Sequence, residues 1–267
     1  MTAVHASYYT DPACPWSWAN EPALRRLEVE FGAYVTLEHV MGGLAREFGP
    51  PPGPAAEWLA AGEAGAMPVD PRPWLEAPPA SSYPACLAVK AAGEQGPLAE
   101  RAFLRRLREG FAWRRRKLDT AEAFLAEARA VTGLDVARFE IDLRSHAIAE
   151  RFGADLDRAA AAAPPDRDRV RVPTLVLRGA RGEERLEGFV SVERLARAAA
   201  SAGAERVAPP FPSVEQALER FGALATAEVA AVCDLPGPRA PAELWRLASE
   251  WRVRAERGVG GEMWGLG

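Results

Sequence analysis

One cysteine is set apart by its surroundings. In DPACPWSW, Asp11 to Trp18, Cys14 follows a short run rich in valine and tyrosine, VHASYY, and precedes a helical pattern. A cysteine at a strand-to-helix junction faces the unpaired N–H groups of the first helical turn. Those groups and the helix dipole favour negative charge. The expectation is therefore a thiol pKa lowered from about 8.5 into the range 3.5–7.5, roughly, with the sulfur left at a rim by the bulky Pro15 and Trp16. The thiolate is the nucleophile. Three residues on stands Ser17, where a two-cysteine exchange centre carries its resolving thiol. A serine resolves nothing, but its hydroxyl can donate to a thiolate. Cys14 supported by Ser17 is expected to attack and hold, with release left to an outside thiol such as glutathione or a second protein cysteine. Inert packing is the alternative for a lone cysteine before a helix; the strand, turn, Cys-Pro and helix in succession favour the active reading.

The remaining reactive side chains are few. Cys86 lies in a helical segment, and Cys233 shares a helix face with Val229 and Val232; both read as packing. Three widely spaced cysteines are a poor disulfide framework and fit a reducing cytoplasm. His5, His39 and His146 stand at no metal-ligand spacing from a cysteine, so no metal site is expected. The net charge of −4 creates no basic field for nucleic acid or anionic lipid. No apolar run of about twenty residues suggests a membrane span, and MTAVHASYYTD does not read as a signal peptide.

The elements that must position Cys14 follow from periodicity. Val4–Tyr9 reads as a strand, Pro15–Phe31 as one helix ended by Gly32, and Tyr34–Val40 as a second strand, a compact β-α-β unit. Residues 42–80 are dense in proline and glycine. They read as a surface loop with one short helix at Ala55–Ala61, or else as one wall of a substrate groove. From Tyr83 to Ala163 the pattern is helical, four or five helices, with a capping pair at Asp119 and Glu122. The basic run Arg114–Lys117 reads as the last turn of a helix. Strands return at Arg171–Gly179 and ERLEGFV, and Ser191 caps a further helix.

The tail looks separate. Pro209, Pro210 and Pro212 punctuate its start, and Ser213 with Gln216 forms a capping-box pattern. Helices near Val214–Phe221, Thr226–Cys233 and Pro241–Trp251, then a glycine-tipped hairpin, give the outline of a winged helix. From Pro209 onward, six arginines and no lysine face eight Asp and Glu. That balance argues against nucleic acid, and the tail is expected to pack on the main body or to mediate self-association as a homodimer.

Four strings in order, TDPACPWSWANEPALRRLEVEFG, MGGL, SSYPACLAVKAA and RVPTLVLRG, resemble the DsbA-like branch of the thioredoxin superfamily. Within it the chain is similar to the cytoplasmic FrnE-type group of predicted dithiol-disulfide isomerases, over Val4 to Gly203. The resemblance implies an α/β chain, a thioredoxin-like domain over 1–80 and 165–207 with an all-helical insertion over 81–164; the tail over 208–267 lies outside it and keeps its own winged-helix-like α+β outline. The resemblance also implies Cys14 at the nucleophile position and Pro173 at that of a cis proline facing it; a trans proline at a strand start is the alternative. Val172 and Thr174, with Pro15 and Trp16, would then meet the substrate. The implied activity is monothiol disulfide exchange on protein thiols or disulfides, with glutathione as a co-substrate and no bound cofactor. Ser17 departs from the C-x-x-C of the redox members and puts dithiol chemistry in doubt. Kappa-class glutathione transferases and 2-hydroxychromene-2-carboxylate isomerases share the fold and carry SPWSW-like strings, so a glutathione-dependent transferase or isomerase is a second expectation. A third is a non-enzymatic adapter that presents proteins to a protease.

Overall fold

The N-terminal run forms strand β1 (Val4–Thr10) in a computed structural model that describes residues 3–207 and 210–267. Helix α1 (Pro15–Ala19), helix α2 (Glu21–Phe31) and strand β2 (Val35–Met41) follow. The single helix expected over Pro15–Phe31 is two. Pro22 has no N–H to give, and its ring crowds the carbonyl four residues back. Asn20, at the break, donates its amide to the Gly188 carbonyl at 3.0 Å and accepts the Val190 N–H at 2.9 Å.

The stretch after β2 is more ordered than its composition suggests. Helix α3 (Gly53–Gly65) outruns the short helix expected at Ala55–Ala61, and α4 (Arg72–Glu76) follows. Trp58 and Trp74 are buried, and the Trp74 indole N–H donates to the Phe111 carbonyl at 3.0 Å. Gly65 lets α3 cross α1 closely: a Cβ there would stand 2.7 Å from the Ala19 Cα.

Five helices then form α5 (Tyr83–Gly93), α6 (Pro97–Ala112), α7 (Ala121–Ala128), α8 (Val136–Leu143) and α9 (His146–Ala161). Thr120, not Asp119, caps α7, accepting the Ala123 N–H at 3.2 Å. The basic run is not a helix end either, because α6 stops at Ala112. Carboxylates on different elements draw its side chains apart: Arg114 to Glu109 at 3.0 Å, Arg115 to Asp70 at 2.6 Å, Arg116 to Glu127 at 3.4 Å. The core of these helices, with Phe103, Leu107, Phe124 and Phe139, runs on into Trp18, Met41 and Trp58, and into Ala225 and Met263 of the tail.

Strands β3 (Thr174–Gly179) and β4 (Gly182–Glu187) and helix α10 (Val192–Ala202) complete a thioredoxin-like sheet of order β2-β1-β3-β4. β1 runs parallel to β2 and antiparallel to β3. Alternate side chains take opposite faces. Val4, Ala6, Tyr8 and Leu175 pack under α2 and α10; Tyr9, Val40 and Val176 pack with Ala159 of α9.

The tail comprises α11 (Val214–Phe221), β5 (Leu224–Ala225), α12 (Thr226–Val232), α13 (Arg239–Ser249), β6 (Val253–Gly258) and β7 (Gly261–Leu266), with a sheet of order β5-β7-β6. This is the winged-helix-like α+β order, and Ser213 with Gln216 closes the capping box. Pro209 lies outside the described residues. The tail has its own core around Leu218, Val229, Leu244 and Trp264. It also grips the body, through buried Glu228 of α12 on Arg105 of α6 at 2.7 Å. Among the described residues no helix is long and apolar enough to cross a membrane.

Candidate thiol site

Cys14 occupies the N-cap of α1 in an extended conformation, φ −83° and ψ 115°. The turn between β1 and α1 is held by Asp11, whose carboxylate accepts the Ala13 N–H at 2.8 Å, the Leu44 N–H at 2.7 Å and the Ser82 hydroxyl at 2.7 Å. It thereby ties the ends of β1, β2 and α5 together beneath the thiol. The peptide between Val172 and Pro173 is cis. The thiol of Cys14 donates to the Val172 carbonyl at 3.7 Å.

Cys14, Pro15, Trp16 and Val172 share one open groove of about 340 Å³, and Phe48, Trp58 and Trp74 supply its apolar wall. Residues 42–80 thus form the groove wall that was the second of their two readings. Trp16 is held there by its indole N–H on Glu57 at 2.8 Å. The other expected site residues lie deeper. Ser17 is fully buried, Pro173 sits behind the groove against Tyr8 and Leu175, and buried Thr174 gives its hydroxyl to the Arg171 carbonyl at 2.6 Å.

The electrostatics differ from expectation. Burial pushes the Cys14 thiol up to about 11; the Ser17 hydroxyl and backbone N–H and the Arg108 guanidinium oppose the rise, and Asp11 adds to it. The lowered pKa read from the helix N-terminus does not survive. α1 has only five residues and a correspondingly small dipole, while Cys14 as a residue is 1% exposed, not at a rim, and loses its hydration. Cys86 is buried in the helical core and donates to Asp11 at 3.2 Å, and burial raises its pKa well above 9.

Several residues with no motif complete the surroundings. The Thr10 hydroxyl donates to Ser17 Oγ at 2.8 Å, and Arg108 Nη2 donates to Thr10 Oγ1 at 2.5 Å. The Tyr8 hydroxyl is buried, and burial pushes its pKa to about 12 against the lowering effects of Arg108, Ser17 and Asn20. Arg108 also pairs with Glu21, which Arg25, Arg105 and Arg108 hold well below the usual carboxylate range against the opposing effect of burial. Trp58 and Trp74 could have been found from their place in a proline-rich segment. Arg108 could not, because on α6 it is one arginine among several. Among the described residues no three His, Cys, Asp or Glu side chains converge as a metal site would require.

The family model described as Thioredoxin matches residues 8–190. The ClpXP adapter protein SpxH of Halalkalibacterium halodurans is 30% identical over 270 residues, covering 96% of this chain and 86% of that protein. The SpxH of Bacillus subtilis is 27% identical, covering 96% and 87%. Among solved structures, a protein provisionally described as a disulfide isomerase from Nitrosomonas europaea superposes with a TM-score of 0.66 at 19% identity, over 74% of this chain and 97% of that one. The cytosolic disulfide reductase DsbM of Pseudomonas aeruginosa, solved with GSH, gives 0.53 at 19% identity, over 68% and 89%. With the sheet order, the thiol at the start of α1 and the cis proline before β3 already in place, these likenesses agree: the chain belongs to the thioredoxin family.

Proposed function

We propose that the chain is a protein-binding adapter on a thioredoxin-like scaffold, taking a segment of a client protein into the groove over Cys14 and delivering it to a ClpXP-type protease in the cytoplasm. The observation that carries this reading is the open groove of about 340 Å³ in which the buried Cys14 meets aromatic walls. Burial favours the neutral thiol at Cys14, and Cys86 spends its own hydrogen on Asp11. Such a site is poorly suited to turnover, whereas its open apolar groove with aromatic walls is suited to binding. The likeness to ClpXP adapters along 96% of the chain, tail included, supports the same conclusion.

A second reading is favoured by one observation: the sulfur lines the groove beside the Val172 carbonyl. On it, Cys14 forms a mixed disulfide with a client cysteine or with glutathione, slowly and as a latch. The DsbM structure with GSH gives that co-substrate some support. A glutathione-dependent transferase has less, since its thiolate must form readily.

The two readings part in one experiment. Proteins bound by the full chain are presented to purified ClpXP with and without the chain, under reductant. Faster degradation that persists in Cys14→Ala and disappears in Ala45→Trp, which fills the groove, supports the adapter. Acceleration that vanishes in Cys14→Ala, with a disulfide adduct on wild-type Cys14, favours the latch. No acceleration at all ends the adapter reading.

A further inference from the structure

We propose that Arg108 is a positioning residue for the Cys14 sulfur: through the hydroxyl of Thr10 it orients the hydroxyl of Ser17 so that Ser17 donates to the thiolate. The inference rests on Cys14 being a thiol that reacts, as the latch reading requires.

The direction of each hydrogen bond follows from the groups present. A guanidinium only donates. Arg108 Nη2, 2.5 Å from Thr10 Oγ1, therefore occupies an acceptor site on that oxygen, and the Thr10 hydrogen must leave on another side. Ser17 Oγ, 2.8 Å away, receives it. Ser17 then has its own hydrogen to give, and it stands at the third residue of α1, the helix that Cys14 caps. The Ser17 hydroxyl is the second cysteine's replacement in position and a fixed hydrogen-bond donor in role.

The relay acts on one ionisation state. In the neutral thiol, Cys14 spends its hydrogen on the Val172 carbonyl, and Ser17 adjoins the Tyr8 hydroxyl as well. Once the sulfur is charged, a hydrogen bond to it is stronger than one to a neutral phenol. Arg108, Thr10 and Ser17 are all buried, so solvent does not replace a lost link. The other ionisable groups around the sulfur are Asp11 below it, Tyr8 on β1, Glu47 and Glu57 along the groove, and Arg169 and Arg171 in the cleft adjoining Val172. A substitution at Thr10 leaves all of them in place.

The test is the pH dependence of Cys14 alkylation by iodoacetamide in the full chain, read by mass spectrometry of the Cys14 peptide. Thr10→Val removes the relay hydroxyl at nearly constant shape. Its alkylation midpoint is expected to rise by about one pH unit, equivalent to about tenfold slower labelling at pH 8. Thr10→Ser restores the wild-type profile, and Arg108→Lys keeps the charge but loses part of the effect. A merely structural role lowers the melting temperature and leaves the midpoint unmoved, and that result in Thr10→Val overturns the relay. Should Thr10→Val fail to fold, Arg108→Lys decides: a midpoint unmoved from wild type overturns the relay. Wild-type Cys14 that no pH renders reactive would remove the latch and the relay together, whereas labelling that is identical in wild type and Thr10→Val removes the relay alone.

Discussion

The groove over Cys14 and the seam between α6 and the tail each bury an ionisable group, yet burial has opposite consequences in them. In the groove the thiol has one carbonyl at 3.7 Å and aromatic walls, so loss of water keeps it neutral, with its pKa raised to about 11. In the seam Arg105 meets Glu21 at 2.9 Å, Glu109 at 3.0 Å and Glu228 at 2.7 Å, and lies 4.6 Å over the Trp18 ring. Burial disfavours its charge too, but three carboxylates outweigh that effect and lock the ionised form. Desolvation alone therefore does not decide ionisation; the supply of counter-charges does.

The contrast is broken most directly at Arg105. Arg105→Met strands Glu228 and Glu21 in the interior and is expected to cost about 3–5 kcal/mol in urea unfolding. Tail amides should lose hydrogen-exchange protection first. A loss below about 1 kcal/mol would mean that the seam is wet, since exposed pairs are worth that little.

Gly65→Ala attacks the groove side. Its Cβ would meet backbone of Ala19 at 2.7 Å, forcing α3 off α1, at about 1–3 kcal/mol for an overpacked contact. Labelling of Cys14 should quicken as the wall that carries Trp58 shifts. Unchanged stability would show that the two helices part without cost.

His39 gives a milder probe of the same rule. Burial lowers its pKa to about 3, with the positive charges of Arg108, Arg101 and Arg25 reinforcing the shift and Glu21 opposing it. The unfolded chain takes up a proton below its ordinary value near 6.5 while the folded chain does not. Stability present at neutral pH is therefore lost as pH falls below 6.5, at about 1.4 kcal/mol per pH unit. His39→Phe should flatten that slope between pH 6 and 5, roughly; a slope identical to wild type would place the titration elsewhere.

Trp16→Phe is the smallest change. It deletes an exposed indole bond to Glu57 of 2.8 Å and should alter stability by about 0.5 kcal/mol, judged by thermal unfolding. A larger loss would make the groove rim part of the core.

Much of this architecture was legible locally. The strand of Val4–Thr10, the cap at Ser191 and the box of Ser213 and Gln216 depend on neighbours a few residues away, so spacing reveals them. The break at Asn20 was missed because its reward is remote, two hydrogen bonds to the loop after β4. Arg105 and Arg108 read as ordinary helical arginines, since their carboxylate partners come from α2 and α12.

Sequence alone determined that a single thiol stands at the start of a helix, that serine stands in the resolving position, and that a proline opens β3. Only the tertiary structure decided whether that thiol is charged. Ionisation depends on how much water is displaced and which dipoles replace it, and those atoms arrive from Arg108 on α6 and from a carbonyl 158 residues away. No periodicity in the chain encodes that sum.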